Sequence, residues 1–421
     1  MFQFLHAADI HLDSPLLGLE RYEGAPVERI RGATRRALER LVALALEEKV
    51  AFVLIAGDLY DGDWRDVNTG LFFVDQMRKL REAEIPVYVI AGNHDAANRM
   101  TKTLRLPENV HFFLSDRPET KHLPDVDVAI HGQSFAKAAI TEDLSSSYPA
   151  AEPNCFNIGM LHTCATGSDA HARYAPCTVE GLESRGYDYW ALGHIHKREI
   201  LCRHPHILFP GNVQGRHIRE SGPKGCTLVT VDQREVTHWK HRSVDVMRWE
   251  TCSVDIADWT DPHELLEETS ERFRQLLDAA EGRALAVRIR VVGAGPVHAK
   301  LISRPGYWTD QIRSTALDVS GGEVWIEKIA FRTSAARTAD AERSREGPLG
   351  ELATIIVALK QEDGQLENLA GSLEPLLTQL KKDVREQGSL PLDNPSELLR
   401  DLLPSVETTL WDRLLNEGEA E

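Results

Sequence analysis

Five short polar motifs close five apolar runs, and this arrangement constrains the fold more than any other feature of the chain. Asp9-Ile10-His11 follows Phe2 to Ala8, and Gly57-Asp58-Leu59-Tyr60-Asp61 follows Phe52 to Ala56. Gly92-Asn93-His94-Asp95 follows Val87 to Ala91, His162 closes Phe156 to Leu161, and Gly193-His194-Ile195-His196 follows Tyr189 to Leu192. Compact apolar runs bounded by polar and turn residues read as buried strands. Between the first two runs Val27, Ile30, Leu38, Leu41, Val42 and Ala45 recur at helical spacing, and between the second and third Leu71, Val74, Met77 and Leu80 do the same. Strand, helix, strand, helix predicts α/β layering, sheets inside and helices outside. Later runs (Val126 to Ile130, Ile207 to Phe209, Cys226 to Val231) are separated by turn signals, which predicts a more β-rich, partly antiparallel second half of this domain.

The motifs carry metal-binding chemistry. On an extended chain residues two apart project to the same side, so Asp9 with His11, and His194 with His196, can each reach one ion. Ligands of α/β sheets gather at the carboxyl ends of strands. The strand ends here supply Asp9, His11, Asp58, Asn93, His162, His194 and His196. Mixed oxygen and nitrogen donors without cysteine suit manganese, iron or zinc better than calcium, and argue against a structural zinc site. Seven donors around one bridging carboxylate is the complement expected of two ions ~3.5–4 Å apart. Each motif alone reads as a turn after a strand or an ordinary surface or core histidine. Their order, each after an apolar run, points to a metal centre.

At 421 residues and ~150 residues per domain the chain predicts about three domains. The first spans 1–241. The second, 242–334, reads as a small α+β unit: a strand, a helix over Pro262 to Gly282, a strand over Leu285 to Val292, a helix over Asp310 to Leu317 and a strand over Glu323 to Arg332. The third, 335–421, is a polar linker followed by helical leucine stripes broken by Pro391, Pro395 and Pro404. No apolar run approaches the ~18 residues of a membrane span, and Met1-Phe2-Gln3-Phe4, with no basic stretch ahead of an apolar one, does not read as a secretory signal. Six cysteines without a C-x-x-C pair fit reduced thiols, so a cytoplasmic location is expected. A net charge of −17 excludes a generally basic nucleic-acid binder; action on a polyanion would need a local positive potential. The absence of G-x-x-x-x-G-K-[ST] predicts no ATP site.

Together the five motifs resemble those of the calcineurin-like metallophosphoesterases. Ala8-Asp9-Ile10-His11-Leu12, Ala56-Gly57-Asp58-Leu59-Tyr60-Asp61, the segment Tyr187 to His196 and the run Phe209 to Arg216 are similar to the DNA double-strand-break-repair nucleases. Among these they resemble the bacterial SbcD and, more closely, YhaO-type branch. The resemblance is good over roughly residues 1 to 240, weak over the smaller domain and weakest over the tail. It implies a four-layer α/β/β/α sandwich with a small α+β capping domain and a helical C-terminal tail. It also implies two divalent ions, manganese expected: Asp9, His11 and His196 holding one, Asn93, His162 and His194 the other, and Asp58 bridging. Such ions would bind a phosphodiester and lower the pKa of a bridging water. His94 would be no ligand but would act beside the scissile phosphate, with Asp61 as its partner, where some repair nucleases carry histidine. Asn212, Arg216 and His217 would contact substrate.

The function so implied is a metal-dependent exo- or endonuclease of DNA repair. The smaller domain would shape DNA entry. The tail would lay an amphipathic helix on an SMC-like coiled-coil ATPase, or pack against the chain's own domains. A homodimer is implied, through Phe72, Phe73 and neighbours, unless those residues are core. A small-molecule phosphodiesterase or phosphatase and a non-catalytic scaffold are the alternatives; the intact donor set and His94 weigh against the scaffold.

Three further groups invite a function, and each has a plainer reading that is preferred. Arg29, Arg31, Arg35, Arg36 and Arg40 could meet a nucleic-acid backbone, but interleaved with Glu28 and Glu39 they read as a solvated helix face. His204-Pro205-His206 reads as a hairpin tip, not a second metal site. Cys164, two residues after His162, reads as a small buried residue.

Overall fold

The computed structural model describes residues 1–14, 29–30, 32–61, 67–97, 104–165, 174–335, 355–356, 358–359, 363–373, 396, 398–403 and 406. The chain divides into two compact units, Met1–Thr251 with Arg274–Arg288 and Ser320–Glu327, and Cys252–Phe273 with Ile289–Val319 and Lys328–Glu421.

The first unit is built on two six-stranded sheets. One has the order β12-β11-β1-β2-β3-β4, from β1 (Phe2–Ala7), β2 (Phe52–Ala56), β3 (Val87–Ile90), β4 (Val110–Phe112), β11 (Gly225–Asp232) and β12 (Glu235–Ser243). Strands β1 to β4 are parallel, and β11 and β12 add antiparallel. The other has the order β5-β6-β7-β8-β10-β9, from β5 (Glu119–Leu123), β6 (Val128–Gly132), β7 (Phe156–His162), β8 (Tyr189–Gly193), β9 (Glu199–Arg203) and β10 (His206–Phe209). Its centre, β6-β7-β8-β10, is parallel and its edges are antiparallel. The mixed sheet expected of the later residues is present.

Period-two alternation sorts the side chains between layers. Phe4, Phe52, Leu54, Tyr88 and Ile90 face Ile130, Phe156, Ile158, Met160, Tyr189 and Ala191 in one apolar core between the sheets. Phe4 stacks on Phe52 with ring centroids 4.9 Å apart and meets the edge of Tyr189 at 5.2 Å. The alternate residues Leu5, Ala7, Val53, Ile55, Val87 and Val89 pack outward against α1 (Ala33–Glu47) and α2 (Val67–Glu82). On the far side Leu161, Trp190, Leu192, Ile207 and Phe209 are covered by Tyr148, Tyr187 and Leu182 of α3 (Val179–Glu183). The layer order is therefore α/β/β/α, as expected, though among the described residues the last layer is one five-residue helix plus aromatic side chains. Stacking of Tyr187 on Trp190 at 4.9 Å does there what a long amphipathic helix does on the opposite face.

A third sheet has the order β13-β14-β15, from β13 (Met247–Asp255), β14 (Ala284–Ala294) and β15 (Val324–Ser334), with α4 (Glu264–Ala279) between its first two strands. The single helix expected before β15 is two, α5 (His298–Ser303) and α6 (Pro305–Ser320). Arg304 at φ −140° interrupts them because the residue before a proline is driven out of the helical region. His204-Pro205-His206 lies in the hairpin between β9 and β10, in agreement with the plainer expectation. Cys164 is buried. Phe73 is fully buried and Phe72 is half-buried against the same core, while Val67 and Leu71 of the same helix are exposed. Most of the expected tail, its linker included, lies outside the described residues. Within them Ile356, Leu366 of α7 (Asp363–Ser372) and Leu403 pack on one another. Among the described residues no helix is long and apolar enough to cross a membrane.

Candidate metal centre

The carboxyl ends of β1, β2 and β3 in one sheet and of β7 and β8 in the other bring every expected donor into one cleft. Three groups of ligand atoms, each within 4.8 Å of one another, are Asp9 with His11 and His196, His11 with Asp58 and His94, and Asp58 with His162 and His194. Asn93 joins through its Oδ1, 3.0 Å from His162 Nε2. The chain reaches this geometry at a conformational cost. Asp9, His11, Asp58 and His194 all have positive φ, at 51°, 46°, 50° and 104°. Such backbone costs of order 1–3 kcal/mol per residue and persists where the surroundings over-determine it.

Close approach of the two sheets completes the site. Gly193 has no room for a side chain, since a Cβ there would lie 1.8 Å from the Ala56 carbonyl oxygen. At Gly57, with φ +91°, a Cβ would fall 2.3 Å from His162 Nδ1. The gap so left lets the backbone N–H of His194 donate to both oxygens of Asp9, at 3.1 and 3.0 Å. It also lets His162 Nδ1 reach the Ala56 carbonyl at 3.0 Å.

Hydrogen bonding tests whether these residues suit a cation. A carbonyl only accepts, so His162 carries a proton on Nδ1 and turns Nε2 toward Asn93 Oδ1 and toward Asp58 Oδ2, 3.4 Å away. A buried imidazole nitrogen facing a carboxylate needs a positive charge there, either a proton on Nε2 or a cation between the two groups. His196 Nδ1 is 2.6 Å from Glu220 Oε1, which leaves its Nε2 facing His11 Nε2 at 3.1 Å. The electrostatics agree. Burial opposes the charge on Asp58, but His162, His11 and His94 outweigh it and hold the carboxylate below its usual range. His162 is held above the ordinary histidine range, because Asp58 overcomes the penalty of burial. The donor set fits divalent cations.

His94 stands apart from these buried donors. Its side chain is 42% exposed, against 0% for His11 and His162 and 2% for Asp58, so it is the imidazole presented to the cleft. Its Nδ1 lies 2.7 Å from Asp61 Oδ1, and this contact raises its pKa. Asp61 also accepts from Ser14 Oγ at 2.5 Å, lies 3.5 Å from His11 Nδ1 and is 3.4 Å from Arg216 NH1.

The three expected substrate contacts are placed differently. Asn212 is fully buried, with Nδ2 donating to the Gln214 carbonyl and to Glu220 Oε2, so both amide hydrogens are used and the expectation of a substrate contact is corrected. The guanidinium of Arg216 faces Ser14, Asp61 and Glu220 and braces the site's edge. His217, 54% exposed, lies 3.4 Å from Glu220. Of the helical arginines, Arg35 pairs with Asp13, Arg29 with Glu323, Arg36 reaches the Arg29 carbonyl and Arg40 the Asp245 carbonyl; Arg31 lies outside the described residues. These partners favour the structural reading of that face.

Two residues escaped the sequence reading. Asp95 accepts from the backbone N–H groups of Leu59, Tyr60 and Gly92 and ties the two ligand loops together; burial and then Asp58 push its pKa up to about 7. Its place in Gly92-Asn93-His94-Asp95 was the available signal. Glu220, beneath His196, had none, being 24 positions away in an unremarked run.

The sequence pattern of the calcineurin-like phosphoesterases matches residues 2–198, and that of the middle domain of metallophosphoesterase YhaO matches residues 249–334. Metallophosphoesterase YhaO of Bacillus subtilis is 38% identical over 297 residues, 70% of this chain and 72% of that protein. The DNA double-strand break repair protein Mre11 of Sulfurisphaera tokodaii is 25% identical over 243 residues, 54% of this chain and 59% of its own. Its namesake from Methanopyrus kandleri is 23% identical over 327 residues, 71% of this chain and 67% of its own. With two facing sheets and paired clusters of oxygen and nitrogen donors at their strand ends, the chain belongs to the calcineurin-like metallophosphoesterases. Within that family it is of the YhaO type, and its likeness to the Mre11 proteins is distant.

Proposed function

We propose that the protein is a two-metal phosphodiesterase acting on DNA, with manganese as the working ion. The observation that carries the reading is the convergence of seven buried or half-buried donors beside one exposed, carboxylate-paired imidazole. In this reading Asp9, His11 and His196 would hold one ion and Asn93, His162 and His194 the other, with Asp58 shared between them. Such a pair would supply Lewis acidity toward a phosphodiester and a water of lowered pKa. The chain's own residues do the rest. Asp58 and Asp9 are fixed by backbone N–H groups of His94 and His194, so the cleft does not reorganise when charge develops. Asp61 accepts from His94 Nδ1, which aims Nε2 outward and favours the protonated imidazole that stabilises the phosphate oxygens or gives a proton to the leaving oxygen.

DNA as substrate is supported by the Mre11 relatives. The formal charge of −17 makes the cations the source of the attraction. An SMC-like ATPase partner, a second copy of the chain and a cytoplasmic location belong to the same proposal. The test strips the protein with chelator, restores manganese and offers end-labelled duplex DNA, single-stranded DNA and bis-(p-nitrophenyl) phosphate. Wild type should degrade DNA, and His94→Ala should keep its metal while losing ~10²–10⁴-fold in rate. Cleavage of the small diester with DNA untouched would replace DNA by a small-molecule substrate. No manganese uptake and no cleavage would refute the catalytic reading.

A further inference from the structure

The geometry points to Glu220 as the positioning residue for one of the two ions: it fixes the proton of His196 on Nδ1 and so turns Nε2 into the cleft. This inference rests on the dinuclear reading above and extends it to a residue outside the motifs.

Glu220 is 6% exposed and every contact to its carboxylate comes from a donor. Oε1 is 2.6 Å from His196 Nδ1, 3.4 Å from His217 Nε2 and 3.6 Å from Arg216 NH2. Oε2 accepts from the Arg216 backbone N–H at 2.8 Å and from Asn212 Nδ2 at 2.9 Å. These contacts leave the carboxylate a single orientation, and through it the imidazole. From the other side the buried Lys224 donates to the His196 carbonyl at 2.9 Å, so both ends of the residue are held. The arrangement is asymmetric between the two ions. The second cluster's His162 takes its orientation from a backbone carbonyl, which no substitution removes, whereas His196 depends on a side chain. Carboxylates that hold a ligand histidine in this way typically account for 10–100-fold in metal affinity.

The Glu220→Gln substitution discriminates sharply. An amide has one oxygen, while donors face both carboxylate oxygens, so Glu220→Gln leaves either His196 Nδ1 or the Arg216 and Asn212 N–H groups without an acceptor. In either orientation the charged acceptor that fixes the His196 imidazole is lost. Glu220→Asp keeps an acceptor at reduced reach and should restore part of the loss.

The experiment titrates the metal-free full chain with manganese chloride by calorimetry and records the manganese paramagnetic resonance spectrum at each stoichiometry. Wild type should take two ions and show the spin-coupled pair. Glu220→Gln should hold one ion as tightly as wild type, bind the other 10–100-fold more weakly and show an uncoupled six-line signal at one equivalent, with Glu220→Asp between them. In a His196→Ala background Glu220→Gln should cost nothing further, since the effect passes through that imidazole. Two unchanged sites in Glu220→Gln overturn the inference while leaving the dinuclear centre standing. Equal weakening of both sites overturns it as well, because Glu220 then serves the fold. A wild-type protein that binds no pair removes the dinuclear reading itself.

Discussion

At the scale of single residues the site is made by what is absent as much as by what is present. Gly193 lies over the Ala56 carbonyl where any side chain would collide with main chain on the facing sheet. Gly193→Ala must therefore part the sheets locally, and we expect a loss of at least ~2 kcal/mol in urea unfolding together with loss of manganese binding. The strand-end motifs made Asp9, His11, Asp58, Asn93, His162, His194 and His196 legible, because each pairs a donor with the end of an apolar run. Glu220 was not legible. It meets His196 because the chain after β10 returns to the loop after β8, where the Asn212 N–H donates to the His196 carbonyl at 3.3 Å, and no local pattern records that return.

At the scale of elements the local code is read directly. Asp261-Pro262-His263-Glu264 is a capping box at the start of α4: Asp261 Oδ1 accepts from the His263 N–H at 3.0 Å, and Glu264 Oε1 reaches back to the Asp261 N–H at 3.0 Å. Proline in the first turn suits a position whose N–H would have no helical partner. Replacing Asp261 by alanine should cost ~1 kcal/mol in chemical denaturation, while Asp261→Gly should cost only a few tenths. Equal costs for the two would show that the side chain is no cap. The helices over Val67–Glu82 and Glu264–Ala279 and the apolar runs of β1 and β2 were legible because a period or a continuous run is a property of neighbouring residues. The break at Arg304-Pro305 was overlooked although proline announces it.

At the scale of the molecule's first unit, the two sheets are joined by a polar contact inside an apolar layer. His6 of β1 donates from Nε2 to the Leu192 carbonyl at 3.1 Å and accepts at Nδ1 from the Tyr189 hydroxyl at 2.9 Å, so the imidazole is satisfied only when neutral. Burial lowers its pKa to about 3, the bond to Leu192 offsetting only part of the penalty. The folded pKa is below the unfolded value, so the unfolded state takes up the proton first. Stability is full above pH ~6.5 and falls as pH drops from there toward 3, by ~1.4 kcal/mol per pH unit from this residue. The pH dependence of unfolding should therefore be shallower in His6→Gln between pH 6.5 and 4. Identical slopes would show that His6 is not the group responsible.

Sequence alone determined the chemistry available: which donors exist, that each closes a strand, and that strands and helices alternate in layers. These follow from neighbours along the chain, where a two-residue or helical repeat fixes which way a side chain points. Only the tertiary structure decided which donors lie within reach of one another, that His94 is half-exposed where His11 and His162 are buried, that Asn212 is buried and that Phe73 is core. Those outcomes depend on stacking one sheet on the other, which brings Asp58 to His162 and Asp9 to His194 across long stretches of chain. Spacing along a sequence carries no measure of that distance.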